Sequence, residues 1–116
     1  MSTREVGTKH ENVAVEFLKQ KGLSLVSRNY RLRDGEIDLI MRDRGYLVFI
    51  EVKFRRNSNF AAILEQIDQR QLKRIRRSAQ LFMLQHGIVE HKTACRFDVV
   101  AITGEPFQVE WLKDAF

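Results

Sequence analysis

Two short segments carry residues able to do chemistry: GEIDLI at positions 35–40 and YLVFIEVKFRR at 46–56. The second is built from β-branched and aromatic residues, as a buried strand would be, yet Glu51 and Lys53 sit inside it. A turn at Arg44-Gly45, with Gly45 able to supply a positive φ, folds the two segments into a hairpin. Asp43 then faces Tyr46 and Asp38 falls opposite Glu51. The same register pairs Ile37 with Val52, Leu39 with Ile50 and Met41 with Val48, giving one wholly apolar face. Glu36, Asp38, Ile40, Phe49, Glu51 and Lys53 share the other. Carboxylates placed directly opposite destabilise a sheet, so this pair calls for a partner. A hard divalent cation such as Mg²⁺ would provide one, since it is commonly held by one or two carboxylates with water and substrate phosphate completing the shell. Lys53 would offset part of the charge and aim its ammonium at a phosphate or an attacking water. The plain alternative is an exposed ion pair between Lys53 and Asp38, which contributes little. Ile40 and Phe49 on the same face weigh toward a covered site, where unpaired carboxylates are costly.

The elements that must position these groups are legible around them. Ala14, Phe17 and Leu18 recur at helical spacing between about Thr8 and Lys21, and Gly22 is placed as a stop. Glu11 lies roughly 60° from Ala14 and roughly 20° from Leu18 on that helix, toward the core, whereas Glu16 points away. Glu11 can therefore join the carboxylate site or simply complement the helix dipole, and spacing alone favours neither. Leu23–Arg31 reads as a strand ending at a turn at Asp34-Gly35. One long helix is expected from about Leu64 to His86, with Leu72, Ile75, Ala79, Phe82 and Met83 on one side and Arg70, Lys73, Arg74 and Arg77 on the other. Thr93–Ile102 and Phe107–Leu112 alternate with period two about the turn TGEP. The order αβββαββ describes an α/β domain whose mixed central sheet is flanked by helices.

At 116 residues the chain is the size of one domain, 1–116, with 44% hydrophobic and 30% charged residues. No apolar run approaches the roughly 20 residues of a membrane span, and the N-terminus lacks a secretory apolar stretch, so a cytoplasmic protein without membrane contact is expected. Cys95 is the single cysteine, which excludes an internal disulfide and a cysteine metal cage. His10, His86 and His91 show no ligand spacing, and neither a Gly-rich phosphate loop nor a serine elbow is present. The net charge of +5 is concentrated: Lys53–Arg77 holds eight basic and two acidic residues, leaving the remainder at −1. Such a segment is the footprint of a nucleic-acid binder, although solvated helix faces carry similar runs. Arg96 and Asp98 share a strand face and read as a structural ion pair, with Cys95, Phe97 and Val99 alternating toward the core.

HENVAVEFLKQKGLSLVSRNYR, GEIDLI, VFIEVKFRR, the basic helix with RFDVV, and VEWLKDAF together resemble the PD-(D/E)XK nuclease superfamily. More closely they resemble the YraN family of small bacterial proteins, which look like distant relatives of archaeal Holliday junction resolvases. The resemblance implies a restriction-endonuclease-like fold. It places the superfamily's catalytic aspartate on Asp38, its glutamate on Glu51, its lysine on Lys53 and its helix glutamate on Glu11. This chain departs from the pattern at His10, where a glycine is usual, and at Gln71, where a lysine is usual.

The expectation is a Mg²⁺- or Mn²⁺-dependent endonuclease acting on branched or structured DNA. Asp38, Glu51 and Glu11 would hold the metal and Lys53 would assist the nucleophile or the developing charge. Arg55, Arg56, Arg70, Lys73, Arg74 and Arg77 would hold phosphates, with the four helix residues contributing affinity away from the metal. The resolvase resemblance is compatible with a homodimer. The competing readings are a non-catalytic nucleic-acid-binding module of the same fold, and a scaffold whose carboxylates bind a structural ion.

Overall fold

The computed structural model describes residues 3–33, 35–56, 59–104 and 106–116, with side chains described from Lys9 onward. Asp34 and Glu105, on which two of the expected turns fall, lie outside the described residues. Helix α1 spans Thr3–Gln20, beginning five residues before the expected start. It is followed by β1 (Ser24–Leu32), β2 (Gly35–Asp43) and β3 (Tyr46–Arg55). Helices α2 (Phe60–Glu65) and α3 (Gln69–Gln85) come next, then a single 3₁₀ turn at Glu90–Lys92, and finally β4 (Ala94–Thr103) and β5 (Gln108–Leu112). The strands form one sheet in the order β1-β2-β3-β4-β5. Only β3 and β4 are parallel, and α2 and α3 lie on the crossover that a parallel pair requires. This is the mixed sheet flanked by helices that the sequence describes, compatible with a restriction-endonuclease-like core.

The expected single helix over 64–86 is two helices. Asp68 breaks the run: it adopts extended backbone (φ −80, ψ 141) and its carboxylate accepts from the Arg70 N–H at 2.8 Å, capping α3. Asn59 caps α2 in the same manner through the Ala62 N–H. A cap of this kind restarts a helix without disturbing the apolar periodicity that the sequence pattern follows.

Each face of the sheet carries its own core. On one, Ala14, Val15 and Leu18 of α1 pack on Leu39, Met41, Val48, Ile50, Val100 and Ile102. On the other, Ala79, Phe82 and Met83 of α3 pack on Ile37, Ile40, Leu47 and Phe49. Phe49 is fully buried, and truncating it to Ala would cost about 3–5 kcal/mol. Leu39, Met41, Val48 and Ile50 share a face as the hairpin register requires. Ile37 does not: it sits on the α3 side with Ile40, so the expected apolar row of Ile37, Leu39 and Met41 is broken at Asp38. The positive φ of the hairpin turn falls on Arg44 (58°) rather than Gly45.

Arg96 and Asp98 form the structural pair anticipated for them, within a larger network. Asp98 is fully buried and accepts from Arg96 Nε at 2.9 Å, Trp111 Nε1 at 2.9 Å and the Asp114 N–H at 2.9 Å. Arg96 also reaches Asp43 at 2.8 Å. These bonds tie the C-terminal segment and the hairpin turn to β4, away from the carboxylate cavity described below.

Candidate functional site

The register Asp43↔Tyr46, Met41↔Val48 and Leu39↔Ile50 forms as expected, and the ladder stops there. The expected cross-strand partners Asp38/Glu51 and Ile37/Val52 are not ladder pairs. The Val52 N–H is taken instead by Asp38 Oδ2 at 2.8 Å. A side chain thus replaces the backbone acceptor that Ile37/Val52 pairing would have used, which explains both the lost pairing and the turned path of β2 at Ile37. The strands part into a cavity of about 370 Å³ on whose wall Glu36, Asp38, Glu51, Asp68, Gln71 and Arg74 all appear. Asp38 and Glu51 therefore share one opening, side by side without being ladder partners.

Both helices deliver groups around Asp38, α3 onto the cavity wall and α1 from the opposite face of the sheet, where Glu11 meets Glu36 and Asp38 without lining the cavity. α1 brings Glu11, which is 8% exposed beside fully buried Ala14 and Leu18. Among the described residues Glu11 Oε1 is buried with no hydrogen-bond partner. Glu11, Glu36 and Asp38 each offer an oxygen within 4.8 Å of the others. α3 brings Gln71, whose Nε2 donates to Glu51 Oε1 at 3.2 Å. Lys53 Nζ stands 3.1 Å from the same oxygen. The salt bridge is therefore to Glu51 on its own strand, not across to Asp38.

Three carboxyls are pushed above the usual carboxylate range, each chiefly by burial. Asp38 rises to about 8, with the Glu51 charge adding to burial and the Val52 N–H opposing it. Glu51 rises against the opposing effect of Lys53 beside it. Glu11 rises through burial, with Glu36 adding and the neighbouring Asn29 side chain opposing. Asn29 itself holds φ 50 within β1, and the register on either side, Arg28↔Leu39 and Tyr30↔Ile37, brackets it opposite Asp38. A buried oxygen without a partner amid raised carboxyls is an arrangement that a hard cation would relieve.

Of the residues singled out in the sequence, Asp38, Glu51, Lys53 and Glu11 come together. Gln71, whose part the sequence left open, contacts Glu51 directly. Arg74 was expected to project away from the site but lines its cavity, a consequence of α3 crossing above Gly35. Arg70, Lys73 and Arg77 are exposed and outside that cavity, as is Arg56. Arg55 is exposed but engaged, donating to Gln66 Oε1 at 3.1 Å and to the Phe54 carbonyl at 2.6 Å. The sequence reading gave Glu36 no role, although it had already placed Glu36 on the charged face. Asp68 was missed because its part in the wall depends on the helix break. His10 is buried and stacks on Phe54 at 3.8 Å between ring centroids, in keeping with a packing role.

Among proteins of known sequence, the UPF0102 protein IL0423 of Idiomarina loihiensis is 49% identical over 110 residues, covering 95% of each chain. A UPF0102 protein of Yersinia pseudotuberculosis is 46% identical over 116 residues, covering 100% of this chain and 97% of its own. Residues 10–102, which span all the site residues from Glu11 through the basic helix, match the uncharacterised protein family UPF0102, and the chain belongs to that family.

Proposed function

We propose that this protein is a metal-dependent phosphodiesterase acting on nucleic acid, an endonuclease of the PD-(D/E)XK kind on branched or otherwise structured DNA. The observation that carries the reading is the buried Glu11 Oε1, unpartnered among the described residues, in a carboxylate group whose ligand oxygens from Glu11, Glu36 and Asp38 lie within 4.8 Å of one another. Oxygen donors of this kind suit Mg²⁺ or Mn²⁺ and suit zinc less well, given the absence of histidine or cysteine at the site. Asp38, Glu11, Glu36 and Glu51 are the residues that would hold the ion. Bound there, a divalent cation would lower the pKa of water and shield charge developing on a phosphate.

The chain's own groups would do the rest. Lys53, held at Glu51, presents an ammonium to a nucleophile or to a phosphoryl oxygen entering the cavity. Gln71 fixes the Glu51 carboxylate from the α3 side. Asp38 spends one oxygen on the Val52 N–H, which fixes the carboxylate's orientation on the cavity wall. Arg74 on the wall, with Arg70 and Lys73 exposed on α3, would draw and hold the phosphate backbone in a salt-dependent manner.

The test joins binding to chemistry. Calorimetric titration of Mn²⁺ into the wild type should show a saturable site that weakens at least tenfold in Glu11→Gln and in Glu36→Gln. Linear, nicked, flapped and four-way DNA incubated with Mg²⁺ or Mn²⁺ should be cleaved by the wild type. Absence of any bound Mn²⁺ would remove the reading, and DNA binding without cleavage under all these conditions would replace it with a non-catalytic binding module.

A further inference from the structure

A second, smaller cavity of about 160 Å³ opens beside the carboxylate cavity. Gly35 and Arg74 line both, so the two share a wall. Their linings differ in charge: the first gathers acidic residues, whereas the second combines Arg33, Arg74 and Arg77 with Leu32 and Leu81 and, among the described residues, has no carboxylate on its wall. Arg74, Arg77, Ser78 and Leu81 stand at i, i+3, i+4 and i+7 on α3, which makes them neighbours on one helix face. The floor is tightly seated, since a Cβ on Gly35 would fall 2.8 Å from Ser78 Oγ, and this contact fixes the spacing of the two cavities. Arg33 and Arg77 are exposed, and neither has a hydrogen bond or ion pair among the described residues.

We propose that this second cavity binds one unpaired nucleotide, its base against Leu32 and Leu81 and its phosphate on Arg33, Arg74 and Arg77. Joined to the reading above, on which this part of the inference rests, the nucleotide is the neighbour of the phosphate presented to the carboxylates. A cavity of about 160 Å³ is of the size of one base. A base still stacked and paired within a duplex cannot present its faces to leucine walls, whereas an extruded or single-stranded one can, with guanidinium groups adding stacking and charge. The shared Arg74 would contact the phosphates on both sides of that nucleotide. Selection of structured DNA would then arise from the need for an unpaired nucleotide at the point of cleavage.

The experiment is a methyl-resolved NMR titration of the whole chain, without metal, using dAMP, deoxyadenosine and inorganic phosphate as probes. dAMP should shift the Leu32 and Leu81 methyl signals saturably and bind at least tenfold more tightly than either fragment. Leu81→Glu, at a position 36% exposed, and the Arg33→Ala/Arg77→Ala pair should each weaken dAMP at least tenfold while the melting temperature is kept. Phosphate binding as tightly as dAMP with the leucine methyls unmoved would overturn the nucleotide site. So would dAMP failing to bind to a wild type that cleaves DNA with Mn²⁺, an outcome that leaves the proposed activity standing. Saturable dAMP binding by a protein that cleaves nothing would uphold the pocket and remove the activity.

Discussion

Replacing Asp38 with Asn should stabilise the metal-free protein, by an amount that grows with pH. The Asp38 carboxyl is raised from its ordinary 3.8 to about 8, mostly by burial and then by Glu51. Between those two values the folded protein holds a proton that the unfolded chain has released. Stability is therefore fully present below about pH 4 and is lost as pH rises toward about 8, at up to about 1.4 kcal/mol per pH unit. Integrated over the window this sets an upper limit of about 6 kcal/mol, and relaxation of a half-buried, partly solvated cavity reduces the expected effect to about 2 kcal/mol. The Asn amide oxygen can still accept the Val52 N–H, so the hairpin keeps its anchor while the charge is gone. For a chain of 116 residues about 2 kcal/mol is a rise of about 8 °C in Tm. Melts of both proteins in EDTA at about pH 4 and about pH 8 read this directly. The curves should nearly coincide at the lower pH and separate at the higher, and Mg²⁺ or Mn²⁺ should raise the wild type alone. A variant less stable than the wild type at about pH 8, or a difference that does not change with pH, would refute the account of strained carboxyls.

Lys53→Ala removes the cation 3.1 Å from Glu51 and should lower metal-free stability by about 1 kcal/mol in a chemical denaturation series, while Mn²⁺ still binds and turnover is lost. Asp98→Asn leaves Arg96 facing an incomplete network in a fully buried site and should cost about 3–5 kcal/mol in the same series, a loss that metal does not restore. Gly35→Ala forces its Cβ against Ser78 Oγ and should destabilise by about 1–3 kcal/mol, with weaker dAMP binding because both cavities share that wall. Arg70→Ala combined with Lys73→Ala, both exposed on α3, should shallow the salt dependence of DNA binding by about two units of slope or slightly less, and an unchanged slope would assign that face to another partner.

The hairpin shows which features a sequence pattern can carry. Leu39, Met41, Val48 and Ile50 alternate strictly, and a slip of one residue would bury charge, so their register and the closeness of Asp38 to Glu51 were legible. The parting of the strands was not, because it depends on a side-chain oxygen displacing a backbone acceptor, a competition that leaves no periodic trace. The same limit applies at Asp68, where a cap divides two helices whose apolar positions run on without interruption. Glu11 was placed correctly toward the core by its angle to Leu18, yet spacing could not distinguish a dipole partner from a site member. Its burial together with an oxygen unpartnered among the described residues favours the site. Arg74 looked no different from Arg70 and Lys73 by charge and angle; the close seating of α3 on Gly35 is what turns it to the cavity wall.

The central claim is tested most directly by cleavage of flapped and four-way DNA, assayed side by side for the wild type and Asp38→Asn in Mn²⁺ and in EDTA. The account predicts strand scission by the wild type in Mn²⁺, none in EDTA, and none by the variant under either condition despite its equal or greater stability. Scission that persists in EDTA, or equal scission by Asp38→Asn, would contradict it.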